Sequence, residues 1–224
     1  MDKATRFRRW EALGEAFATF AFIMLYAWKL RPLCPWLAIL VPAFTVATHV
    51  ARGESARRLG FGWEDFRTAF PALLPWVVAA AGLLLAAGAA AGTIRPLAPR
   101  QIVGGLGAYM VWGACQQYLL NAFLANRLAE WAGGPERRTV PLAAAALFSL
   151  PHLPNWFLMA VTFAGGYLSV RVWQRYRSLY VLGIAHGVIA FVLFAVVPDS
   201  IGGHFFIGPR YLMNHGGANP EWLP

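Results

Sequence analysis

Leu179-Tyr-Val-Leu-Gly-Ile-Ala-His186-Gly-Val-Ile-Ala190-Phe-Val-Leu-Phe-Ala-Val-Val197 runs for nineteen residues without Asp, Glu, Lys or Arg. A surface helix of a soluble protein keeps a polar face, whereas one that is apolar all round is enclosed by protein or lipid. About 20 such residues, each rising about 1.5 Å, cross a hydrocarbon layer of about 30 Å with every backbone polar group paired inside the helix. The same pattern recurs at 12–28, 36–50, 70–91, 102–124, 139–150 and 155–172. Prolines and arginine clusters punctuate the runs, at Arg31-Pro32 and within 52–67, 95–100, 127–138 and 171–177. The expected fold is all-α: a polytopic membrane helix bundle of about seven hydrophobic segments, with 1–224 forming a single integral membrane domain. The fifth segment holds only twelve residues before Pro151 and is expected to turn back inside the bilayer.

Composition agrees. The chain is 58% hydrophobic and 13% charged, where soluble domains average about 45–50% and 25%. Its formal charge of +9 does not imply nucleic acid, because that function needs a basic face on a soluble domain. Cys34 and Cys115 stand far apart, the second in an apolar run, so neither a disulfide framework nor a paired-cysteine metal motif is available. Arg6, Arg8 and Arg9 before an apolar run resemble a secretory signal. Without a small-residue cleavage site before Lys29, a retained first helix is the better reading.

Orientation follows from the cations, which concentrate on the cytoplasmic side of membrane proteins. With the N-terminus inside, 14 of the 19 Lys and Arg residues fall in cytoplasmic loops and 5 outside. The basic charge therefore reads as topology and contact with anionic lipid. The expected location is a bacterial-type inner membrane. The partners expected are membrane lipids and a membrane-tethered or lipidated protein or peptide.

Polar side chains inside such helices are costly and mark functional sites by default. Three groups qualify: Gln116, Gln117 and Asn121; Phe148 and His152, with Asn155 at the following turn; and His186. At about 1.5 Å per residue, Gln116 and His186 lie at about the same depth, and all three groups can meet in a chamber open to the cytoplasm. Each also has a structural reading. Amide pairs are common interhelical links, and a histidine beside a proline turn is often only hydrogen-bonded in place. His49, His204, His215 and Glu15 fall at segment ends or loops and are read as interfacial.

On these residues the chain resembles the CPBP family of intramembrane peptidases, which includes the CAAX prenyl endopeptidases and the Abi-type immunity proteins. The family pattern is an EExxxR helix, then FxxxH, then HxxxN. Phe148 and His152 meet the second motif and His186 opens the third, in the right order, with 102–197 as the family-like core. The stretch from Leu59 to Phe66 also looks like the family's. The resemblance implies an intramembrane endopeptidase in which a Glu activates water and the histidines orient it and stabilise the oxyanion.

The departures are specific. Gln116, Gln117 and Asn121 replace the two acids and the Arg, and Ala190 replaces the last Asn. An amide has no accessible pKa for base work, so the catalytic assignment is His152, His186 and Gln116, with Gln117, Asn121, Phe148 and Asn155 supporting or binding substrate. Gln117 and Asn121 stand at i and i+4, where the family's Glu and Arg form an ion pair. Replacing both keeps a hydrogen-bonded pair and strands no charge in lipid. No cofactor is assigned. Zinc is weakly supported, because it takes three or four ligands and only His152 and His186 come together. The alternative is a catalytically silent relative that binds a membrane protein, lipopeptide or lipid. A small transporter is less favoured, since no inverted repeat is visible.

Overall fold

The structure is a computed structural model, and it describes residues 2–135 and 137–215; the side chain of His215 lies outside what is described. The described residues are predominantly helical, with no strand. Helix α1, Lys3–Leu33, contains a π-helical turn at Tyr26–Leu30. Helix α2 is Pro35–Ala51 and α3 is Trp63–Ala90. Helix α4 runs over 99–132 and widens into π-helix at Tyr118–Ala125. It ends at Gly133, whose φ of 85° is left-handed and suits glycine. Helix α5 is Thr139–His152, α6 Trp156–Tyr176, α7 Leu179–Val196 and α8 Pro209–His215. Helices α1, α3 and α7 are long and apolar enough to cross a membrane, while α2 and α5 are apolar but shorter. These are the helices of a membrane protein.

Close approach of α7 to α4 sets the centre of the bundle. A Cβ at Gly187 would lie 2.5 Å from the Met110 Cα, and one at Gly183 would lie 3.0 Å from the Ala114 Cα. From the α4 side, a Cβ at Gly113 would meet Gly183 O and Gly187 N at 3.0 Å each. Small residues at four-residue spacing let helix backbones touch where water supplies no driving force. The site residues are placed by that contact.

Helices α5 and α6 form a hairpin whose turn is enclosed by the C-terminal part of the chain. Gly208 N donates to Leu153 O at 2.7 Å, and Asn155 Nδ2 donates to Gly202 O at 2.9 Å and Phe206 O at 3.1 Å.

The N-terminal part of α1, the 52–62 loop, the end of α4 and the 177–178 turn share one end of the bundle. Arg9 Nε donates to Trp131 O at 2.7 Å and Arg177 Nη1 to Arg58 O at 3.1 Å. Here the reading of the basic charge as topology and lipid contact needs correction for Arg52 and Arg127. Arg127 is fully buried, with Nε 2.5 Å from Glu15 Oε2 and Nη1 3.0 Å from Glu54 Oε2. Arg52 pairs with Glu15 at 3.0 Å and Glu130 at 3.1 Å. His49 is 2% exposed and bonded to Glu54, so it and Glu15 belong to a buried charge network, not to an interface. The carboxylates that neutralise these cations come from α1, the 52–62 loop and α4. A count along the sequence cannot see that meeting. Although burial alone raises the Glu54 carboxyl, the His49 hydrogen bond, Arg127 and Arg58 outweigh it and lower its pKa to about 2.

Candidate active site

Gln117, 4% exposed, points from α4 at α7, and its Nε2 lies 2.8 Å from His186 Nδ1. Its other atom, Oε1, accepts from Asn121 Nδ2 at 2.6 Å and from the Ser169 hydroxyl. Asn121 Nδ2 also reaches Ser169 Oγ at 2.9 Å. The amide pair expected at i and i+4 is therefore present, and Ser169 of α6 closes it into a triangle. Asn121 is fully buried in the π-helical stretch, a distortion often found at functional positions. Its Oδ1 has no hydrogen-bond partner among the described residues.

The triangle fixes a proton position. With Oε1 occupied by two donors, the Gln117 amide presents N–H to His186, so His186 Nδ1 accepts and its neutral ring carries hydrogen on Nε2. His152 is the opposite case. Its Nδ1 lies 3.1 Å from Phe148 O and 3.3 Å from Ser149 O, both acceptors, so Nδ1 donates and Nε2 keeps its lone pair. Thr162 Oγ1 stands 3.5 Å from the same Nδ1. The Phe148 ring meets both histidines edge-on, with its centroid 5.8 Å from His152 and 6.5 Å from His186. One imidazole can accept a proton at Nε2 and the other can donate one.

The remaining site residues fall differently. Gln116 was expected to share the level of His186; its neighbour Gln117 makes that contact, because Gln117 shares the glycine-lined face of α4 with Gly113. Gln116 is half-buried, and its side chain makes no hydrogen bond to a described residue. Asn155 is 1% exposed and caps α6 by accepting from Leu158 N at 3.0 Å. Its amide donors go to the C-terminal carbonyls of Gly202 and Phe206, so it supports the site by holding the turn. Ser169 and Thr162 escaped the sequence reading. They stand seven apart on one face of α6, two turns apart on the face that carries the contacts, and that spacing was the available signal. Among the described residues no group of three His, Cys, Asp or Glu side chains is placed to hold a metal. The two histidines alone fall short of a zinc ligand set. Two clefts open at the charge-rich end, and neither is lined by Gln116, His152 or His186.

A family model described as Type II CAAX prenyl endopeptidase Rce1-like matches residues 98–192. The matched stretch takes in Gln116, Gln117, Asn121, Phe148, His152, Asn155, Ser169, His186 and Ala190. It bears out the resemblance drawn from the motifs and marks this part of the chain as similar to intramembrane peptidases. No curated protein and no solved structure matches the chain.

Proposed function

We propose that the chain is an intramembrane endopeptidase of the CAAX type, acting on a membrane-tethered or lipidated protein substrate through a site open to the cytoplasm. The bundle sits in a bacterial-type inner membrane in about seven segments, with the N-terminus inside. The observation that carries the reading is that His152 and His186 both meet the Phe148 ring, with hydrogen-bond partners that call for opposite tautomers, inside the stretch similar to the family.

In the proposed reaction His152 Nε2 takes a proton from water as the water oxygen bonds to the scissile carbonyl carbon. His186 Nε2–H donates a hydrogen bond to the oxyanion that forms, a stabilisation worth about 3 kcal/mol per donor at comparable sites. The proton on His152 then passes to the leaving amine as the C–N bond breaks. The half-buried Gln116 amide orients water or substrate, where the family has a carboxylate. Gln117, Asn121 and Ser169 position His186 and hold its tautomer.

A second reading has a specific observation in its favour. Gln116 and Gln117 stand where the family has acids, and Ala190 removes the last motif's amide. On that reading the fold is silent and binds a membrane protein, lipopeptide or lipid. The test is to assay wild type, Gln116→Glu, Gln117→Glu and the double variant against a quenched-fluorescent prenylated peptide. Cleavage by wild type supports a histidine-centred enzyme. Cleavage by the Glu-restored forms alone supports the silent relative.

A further inference from the structure

The larger of the two clefts, about 750 Å³, lies at the end of the bundle that holds the 52–62 loop. Ser55, Arg57, Arg58, Asn126, Gly134 and Arg177 line it, with the carboxylates of Asp65 and Glu130 at its wall. Those acids are already engaged: Asp65 lies 3.5 Å from Arg57 Nε and Glu130 3.1 Å from Arg52 Nη1. Arg58 Nε faces Glu54 at 3.3 Å. Arg177 has no carboxylate within ion-pair distance among the described residues. Its Nη1 donates to Arg58 O at 3.1 Å and Asn126 Oδ1 at 3.4 Å, so Nη2 and Nε remain for the cleft.

The arrangement is rigid. The Arg177 guanidinium stacks 5.2 Å from the buried Trp173 ring. Its backbone is left-handed, at φ 41° and ψ 44°, a conformation unfavourable for a non-glycine residue that persists only where surroundings impose it. Gly60 packs under Trp173 so closely that a Cβ would lie 2.5 Å from the ring, and its carbonyl accepts from Leu179 N at 2.9 Å. Loop, helix end and turn are thus clamped together with two arginines side by side. Burial first, and then the neighbouring charge of Arg58, lower the Arg177 pKa against the opposing pull of the Asp65 and Glu54 carboxylates.

The surroundings say what carries that anion. Phe61, Trp63 and Tyr180, each within three residues in the chain of a residue that lines the cleft, are 41%, 62% and 44% exposed. Phe61 and Phe66 both meet the Tyr180 ring edge-on, at 5.9 and 6.1 Å. Exposed aromatic rings of this kind sit at the headgroup level of a bilayer. Arginine matches phosphate oxygens bidentately.

We propose that this cleft binds a phosphate group, carried by an anionic phospholipid, with Arg177 as its fixed ligand and Arg57 and Arg58 completing it. The site is separate from the histidine pair and does not depend on peptidase activity. Purified full-length protein in mild detergent is titrated with phosphatidylglycerol, phosphatidylcholine and inorganic phosphate, and retained lipid is read by native mass spectrometry. Wild type is expected to retain phosphatidylglycerol over phosphatidylcholine by roughly tenfold, and Arg177→Gln to lose about fivefold, the worth of one arginine at an anionic surface. Arg57→Gln, whose side chain is 76% exposed and clear of the Trp173 stack, repeats the test without disturbing the clamp. Arg67→Gln, an exposed arginine on α3 outside the cleft, is expected to leave retention unchanged. Displacement of the lipid by millimolar phosphate identifies the headgroup alone as the ligand; failure to displace it identifies the whole lipid. Equal retention in wild type and both cleft variants, or an equal loss in Arg67→Gln, overturns the proposal.

Discussion

Gln117 holds the site together because both of its amide atoms are committed. Its oxygen takes hydrogen from Asn121 and Ser169, which obliges its nitrogen to face His186. Removing the Ser169 hydroxyl takes away one donor and loosens that orientation. Ser169→Ala is expected to cost about 1 kcal/mol, the usual net worth of a buried hydrogen bond, measured as a lower melting temperature in detergent. On the proposed reaction it also lowers kcat several-fold with little change in KM, and Ser169→Thr restores it. Unchanged kcat in Ser169→Ala would show that the triangle is packing only. The i and i+4 amide pair was legible in the sequence because helix geometry alone brings Gln117 to Asn121. Ser169 was not, since a lone serine near the arginines of 171–177 looks like a helix end.

Helix α7 meets α4 along Gly183 and Gly187, and His186 lies between them in sequence. Gly187→Ala places a methyl group against Met110 backbone, which cannot rotate away. Overpacking of this kind costs about 1–3 kcal/mol and displaces His186 from Gln117. The expected result is a lower melting temperature together with lost function, whereas Gly82→Ala on α3, with nothing within 4 Å, leaves both intact. Every hydrophobic run read from the sequence lies in one of the helices α1 to α7, to within a residue at its ends. Runs of apolar residues report length and burial directly. The contact between helices was illegible, because small-residue spacings are frequent in membrane helices and do not name their partner. The same limit hid the true neighbour of His186: depth along a helix placed Gln116 and Gln117 at nearly one level, and only rotation about the axis distinguishes them.

Across the molecule, the charge-rich end is held by Arg52 and Arg127 with Glu15, Glu54 and Glu130, while the opposite end is tied by Arg95 to Asp199 at 2.5 Å. The arginine count anticipated where charge accumulates but not that acids from three elements would neutralise part of it. Glu54 gives this network a pH signature. Its carboxyl is lowered from 4.5 to about 2 in the folded protein, so it binds protons less readily folded than unfolded. Its stabilisation is complete above about pH 4.5 and is lost as pH falls toward about 2. The melting temperature of wild type is expected to fall steeply across that window. Glu54→Gln leaves Arg127 short of a partner, costs about 3 kcal/mol at neutral pH and flattens the acid dependence. An acid profile identical in wild type and Glu54→Gln would remove Glu54 from the network's energetics.

The most direct measurement of the histidine-centred site is the rate at which purified wild type and His152→Ala cleave a quenched-fluorescent prenylated peptide, each protein first shown to be folded by its melting transition. Loss of a positioned general base costs about a hundredfold or more. The expected result is cleavage by wild type and a fall of at least that size in His152→Ala. Equal cleavage by the two proteins, or none by wild type, would contradict it.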